Sequence, residues 1–172
     1  MIREIITYPS PILKKKSHTV VEFDEILFKL LDDMYDTMTS RDGIGLAAIQ
    51  IAEPVNAFII NLVRKDEKQY KEDLVEYINP TILSYDGNSV YQEGCLSVPG
   101  FYEDIKRYDS IEVEYFDREG NKIIKDLHEL ESIAFQHELD HLYGKLFIEK
   151  LSFLKRKKFE KEWKKNLKHK KF

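Results

Sequence analysis

The sequence predicts an α+β fold: antiparallel or mixed β-sheets packed around a central, metal-binding HExxH helix, with one more helix at the C-terminus. Short β-branched and aromatic runs fill the middle of the chain, several of them separated by turn residues. Stretches with three- and four-residue apolar spacing stand before and after them. Strands bracketed by helices, with no strand–helix–strand alternation, point to this class rather than to a parallel sheet.

Each element has its own reason. PSPIL at 9–13 reads as extended or turn structure, because each proline disfavours helix in the residue before it. From Phe23 to Thr39, Ile26, Leu27, Leu30, Leu31, Met34 and Met38 recur at helical steps; Asp24 is a candidate N-cap and Gly43 lies past the end. VNAFIINL (55–62), VEYINPTIL (75–83), SVYQEG (89–94) and SIEVEYFD (110–117) read as strands, and KIIKDLH (122–128) pairs back across DREGN as a hairpin. A second helix spans about 129–143, stopped by Gly144, and a third runs from about 152 to the C-terminus.

The second helix has two apolar stripes. Leu130, Ile133, Ala134, His137 and His141 form one; Phe135, Leu139, Leu142 and Leu146 form the other. Ser132, Gln136, Asp140 and Tyr143 are its polar remainder. Such a helix is expected between layers, where an unpaired imidazole is costly and a metal would satisfy it.

Composition narrows the function classes. With one cysteine in 172 residues no intrachain disulfide forms, and a 42% apolar content must build the core unaided. MIREIITYPSP lacks a secretory apolar region, and no apolar run approaches membrane-spanning length, so the expectation is a cytoplasmic protein with no membrane partner. No long apolar surface stripe is left unassigned, which favours a monomer. The net charge of −4 is unevenly spread: residues 151–172 carry ten Lys/Arg and two Glu, a surplus of +8, leaving −12 on the first 150. We divide the chain into a main domain at 1–150 and a basic helical extension of it at 151–172. An acidic body with a basic tail suggests a polyanionic partner for the tail alone.

HELDH at 137–141 carries the chemistry. His137 and His141, four apart, present two imidazoles to one ion, while Glu138 sits a quarter-turn round as the general base. Two ordinary helical histidines with a chance Glu are the plainer alternative. The third ligand decides the enzyme class. HELDHLYGKLF has Phe147 where the metzincin pattern needs its last His, and Glu160 and Glu162 lie in a lysine-dense stretch that looks solvated. Cys95 in EGCLS is left: a thiolate with two imidazoles keeps the fourth position open for water, although a lone Cys is also a common core filler.

Three segments together resemble the bacterial peptide deformylases: GIGLAAIQ at 43–50, EGCLS at 93–97 and QHELDH at 136–141. The resemblance runs from about residue 4 to about residue 155. It implies hydrolysis of the N-formyl group from the N-terminal formylmethionine of nascent polypeptides, with release of formate. It implies that Cys95, His137 and His141 hold one divalent metal ion, Fe(II) in the cell with Zn(II) or another divalent ion as substitute. Glu138 would be the acid/base, and Gln50 and the backbone N–H of Leu96 would face the developing oxyanion. Gly45 would dock the peptide as an added strand, and Ile44, Gly94, Leu130, Ile133 and Ala134 would line an apolar pocket for the methionine side chain.

Formamide hydrolysis suits these residue types, since a divalent ion lowers the pKa of its water towards 7 and a tetrahedral oxyanion needs preorganised donors. Many family members have arginine where this chain has Tyr102, so the substrate contacts at that rim are open; Arg107 is a candidate partner for Glu93. The tail has apolar residues at Leu151, Leu154, Phe159, Trp163 and Leu167, and its charge suggests docking on ribosomal RNA. Two rival functions remain: an HExxH metallopeptidase, and a non-enzymatic ribosome- or RNA-binding module with a structural metal.

Overall fold

The computed structural model describes residues 1–169. Lys170 and Lys171, counted above in the tail's charge, lie outside them. Helix α1 (Glu25–Thr39) begins where Asp24 caps the Leu27 N–H. Leu27, Leu31, Met34 and Met38 are buried as their spacing predicts, but Ile26 faces solvent. PSPIL makes the turn expected of it: Pro11–Lys14 form a 3-10 turn capped by Ser10.

The strands are β1 (Gly45–Ala47), β2 (Ala57–Ile60), β3 (Val75–Asp86), β4 (Ser89–Cys95), β5 (Val98–Arg107), β6 (Ser110–Phe116) and β7 (Lys122–His128). They form a five-stranded sheet, order β1-β2-β3-β6-β7, and a separate β4-β5 hairpin, with every ladder antiparallel. The fold is α+β. Strand β2 shows how the main sheet is clad. All four of its residues are buried; Phe58 and Ile60 join the apolar cluster of helix α2 (Glu129–Leu142), and Ala57 and Ile59 join that of α1. Side chains alternate across a strand, so one helix covers each face of the sheet.

Two strands escape the sequence reading. Strand β1 is three residues long and lies inside GIGLAAIQ, too short for a periodic signal. Strand β5 is long, but its inward positions are Phe101, Glu103, Ile105 and Arg107. Glu103 pairs with Lys155 and Arg107 with Glu93, so charged residues occupy inner positions and hide the alternation.

Helix α2 lies deeper than two stripes require. Ser132 and Gln136, assigned to its polar remainder, are buried. Ser132 Oγ and Gln136 Nε2 donate to the Tyr108 carbonyl at 3.0 and 2.8 Å, and Gln136 Oε1 accepts from the Tyr108 N–H at 3.0 Å. This clasp ties the HExxH helix to the β5–β6 turn. Helix α3 (Phe153–His169) packs through Phe159 and Trp163 on Tyr8, Val98 and Phe101. Leu154 and Leu167, expected on the same edge, are exposed. Among the described residues no helix is long and apolar enough to cross a membrane.

Candidate metal centre and cleft

Helix α2 presents His137 and His141 one turn apart, with ring centroids 5.2 Å from each other. Cys95 closes β4, and its pairing with Val98 leaves Leu96 and Ser97 as a tight turn. That turn brings Cys95 Sγ to 3.5 Å from His141 Nε2. One ligand atom from each of Cys95, His137 and His141 lies within 4.8 Å of the others, and no fourth such side chain joins them among the described residues.

The surroundings fit a cation. Glu93 Oε1 lies 2.8 Å from His137 Nδ1. An ionised carboxylate only accepts, so Nδ1 carries the proton and Nε2 keeps its lone pair for the centre. Burial disfavours a charged His137, but Cys95 and Glu93 outweigh it and hold its pKa well above the usual value. A site that stabilises a proton on His137 also stabilises a metal cation in the proton's place. Burial, with positive His137 and Arg107 nearby, drives the His141 pKa well below its usual value and leaves a neutral electron-pair donor. The buried His141 Nδ1 and Glu138 Oε2 have no hydrogen-bond partner.

Glu93 is itself held. Arg107 grips it with Nε and Nη2 at 2.5 and 2.9 Å, and reaches Asp140 with Nη1 at 2.9 Å. Glu93 and Arg107 are each 5% exposed, so this is a buried fork and not a solvated surface pair. Burial alone would raise the Glu93 pKa; His137 and Arg107 together bring it below the usual carboxylate range. Glu138, lacking such partners, is pushed by burial to about 7.

Gln50 sits in the 3-10 turn Ala48–Ile51 after β1. Its Oε1 accepts from the Ala47 N–H at 2.9 Å, and its Nε2 donates to Ser97 Oγ at 2.9 Å and faces Cys95 Sγ at 3.6 Å. One amide proton is thus fixed by Ser97 and the other is directed at the metal centre. Ser97 and Glu93, the two ends of EGCLS, were not read as site residues from the sequence. Their signal was present in kind, because a buried acid and a buried hydroxyl beside a ligand need partners.

The centre opens into a cavity of about 830 Å³ lined by Gln50, Cys95, Leu96, His137 and Glu138. The same cavity is lined by Ile44, Gly45, Gly94, Leu130, Ile133 and Ala134, the predicted substrate residues. A Cβ on Gly45 would come 2.6 Å from Glu138 Oε1, so any other residue there would push the carboxylate out of place. Asn61 N donates to the Ile44 carbonyl, making this a hydrogen-bonded pair. The next pair, Gly45 with Ile60, is then non-bonded, and the Gly45 N–H and C=O turn away from β2 toward the cleft. Tyr102, 64% exposed, lies with its ring over Gly94, where a Cβ would meet Cε1 at 2.4 Å. It forms part of the cleft rim.

The family model described as polypeptide deformylase matches residues 2–157. A peptide deformylase of Nautilia profundicola is 50% identical over 169 residues, covering 98% of this chain and 97% of that one. One of Helicobacter pylori, strain G27, is 52% identical over 170 residues, covering 97% and 98%. The crystal structure of a Legionella pneumophila peptide deformylase superposes with a TM-score of 0.89 at 37% identity, covering 100% of both chains.

Proposed function

The chain belongs to the polypeptide deformylase family, and from that premise we propose that it hydrolyses the N-formyl group of formylmethionyl nascent polypeptides at the Cys95–His137–His141 centre, releasing formate. The observation that carries this reading is Glu138, buried in the cleft beside three convergent metal donors with a carboxylate oxygen left unpartnered. A divalent ion held there would supply Lewis-acid activation; a sulfur ligand suits ferrous iron or zinc, and we assign Fe(II) in the cell with Zn(II) as substitute.

The chain's own groups divide the remaining work. Glu138, poised near neutrality, takes the proton of the attacking water and returns it to the leaving amine. The Gln50 N–H that faces Cys95 Sγ and the Leu96 N–H donate to the oxyanion, each contributing about 3 kcal/mol. Gly45 pairs with the peptide backbone as an added strand. Ile44, Gly94, Leu130, Ile133 and Ala134 hold the methionine side chain, consistent with the apolar character of the inner cavity.

Formate release from a formyl-Met peptide, set against an N-acetyl analogue and an internal amide, tests the proposal. Deformylation without backbone cleavage is expected. Backbone cleavage would favour the metallopeptidase, and metal binding without any turnover would favour a structural-metal module.

We also propose that the protein works in the cytoplasm as a monomer, which sedimentation velocity checks, and that α3 docks on ribosomal RNA. With Phe159 and Trp163 packed inward, Lys157, Lys158, Lys161, Lys164, Lys165 and Lys168 are exposed. Truncating the helix would remove part of the core, so neutralising these lysines to Gln is the cleaner test. Ribosome co-sedimentation should weaken and lose salt dependence; an unchanged salt slope would sink the idea.

A further inference from the structure

The docking edge at Gly43–Gly45 is gripped from outside the cleft. Gln69 Nε2 donates to the Gly43 carbonyl at 3.0 Å and to the Asn61 carbonyl at 2.5 Å, so one side-chain amide spends both of its protons bridging the end of β2 to the start of β1. Asn61 answers with its own side chain, Nδ2 donating to the Tyr70 carbonyl at 2.8 Å. Gln69 lies at the base of a small loop closed by a Val63–Gln69 bridge and an Arg64 N–H to Lys68 carbonyl bond of 2.8 Å.

The loop is stiffened well beyond what a surface connection needs. Arg64 stacks on Tyr70 at 4.1 Å and bonds Asp73 at 2.6 and 2.9 Å, with Glu72 as a further partner. Tyr70 donates to Asp66 at 2.5 Å, and Asp66 accepts from the Lys68 N–H at 3.0 Å. Lys71 lies over Tyr35 of α1 at 4.9 Å, tying the far end to the helix that precedes the docking edge. None of these residues lines the cleft.

We infer that the loop from Val63 to Asp73 braces the docking edge, with Gln69 as the positioning residue that sets the register of the Gly43–Gly45 backbone for an incoming peptide. The inference rests on the deformylase reading of the cleft and deepens it. A Gly43 carbonyl fixed by Gln69, followed by an Ile44 carbonyl fixed by Asn61, leaves the Gly45 N–H and C=O at one height above the metal centre. A peptide adding as a strand uses that height along its whole length, whereas a formyl-methionine with no following residues uses it least. Loss of the brace therefore falls on extended peptides and on KM more than on the chemical step.

The experiment uses the metal-loaded protein and its Gln69→Leu and Gln69→Glu variants. Glutamate keeps the size and removes both donors, setting a carboxylate against two carbonyl oxygens. Formate release is followed with formyl-Met-Ala-Ser and with formyl-Met alone, and affinity for the product Met-Ala-Ser by calorimetry. For both variants KM for the tripeptide should rise about tenfold with kcat little changed, product affinity should fall in step, and formyl-Met turnover should change less than about twofold. Equal losses on both substrates, tracking a lowered Tm, would overturn the inference, as would an unchanged tripeptide KM. Parent protein that binds Met-Ala-Ser without releasing formate would instead refute the deformylase reading, and calorimetry alone would then judge the brace.

Discussion

Replacing Glu138 with glutamine is expected to lower kcat for formate release by about 10²- to 10⁴-fold while the variant still binds one equivalent of metal. Glutamine keeps the size and the buried setting of Glu138, but its amide neither accepts the water's proton nor hands one to the leaving amine. Glu138 is not among the three converging donors, so the metal should stay. Burial pushes its pKa up to about 7 against the opposing pull of His137 and Arg107, and that value suits it to move a proton in both directions. Formate kinetics with metal analysis of the same sample make the check. A metal-loaded Glu138→Gln protein with parental kcat would remove Glu138 from the chemistry.

The second large effect is expected at Arg107. Arg107→Ala leaves Glu93 buried, ionised and paired only with His137, one of the proposed metal ligands. Breaking a buried pair by deleting one partner costs about 3–5 kcal/mol, and freeing the carboxylate that orients His137 should lower metal affinity about 10- to 100-fold. Urea denaturation and competition with a chelator measure the two effects separately. A companion variant, Glu93→Gln with Arg107→Met, removes both charges. It should recover much of the stability, because no unpaired charge remains, yet still bind metal weakly, because a neutral amide orients His137 less firmly. If Arg107→Ala shifts stability by less than about 0.5 kcal/mol, the buried fork is not holding the centre.

These two residues show how far the sequence could be read. Glu138 was legible because HExxH is a local pattern: helical spacing alone places its members, whatever packs around them. Gln50 was legible only through motif resemblance, and Cys95 by elimination and then by motif, because no local spacing joins Cys95 to His141, 46 positions on, or Gln50 to Cys95, 45 positions on. The Glu93–Arg107 pair was foreseen, but its depth was not. Whether a charged pair is solvated or buried depends on β5, and β5 went unread because its inner face carries Glu103 and Arg107. The same gap hid the clasp on Tyr108, which lets Ser132 and Gln136 sit in the interior. Helix α1 and strand β6 were legible because burial acts on each with one period and apolar residues record it, whereas β2, β3, β4 and β7 were legible as β-branched and aromatic runs, some set off by turn residues. Where ion pairs or backbone carbonyls satisfy the buried side instead, as with β5 and the polar side of α2, apolar periodicity fails. On α3 the converse holds: Leu154 and Leu167 look like packing residues but are exposed.

If one ion, held by Cys95, His137 and His141, serves Glu138 in hydrolysing formyl-methionyl peptides, activity must follow metal occupancy. Ferrous iron titrated anaerobically into metal-stripped protein, with formate release from formyl-Met-Ala-Ser followed at each step, measures that dependence. Activity should rise in proportion to metal and saturate at one equivalent, with Cys95→Ala showing no such saturation at that stoichiometry. Full formate release by the metal-free protein, or by the Cys95→Ala variant with unchanged stoichiometry, would contradict it.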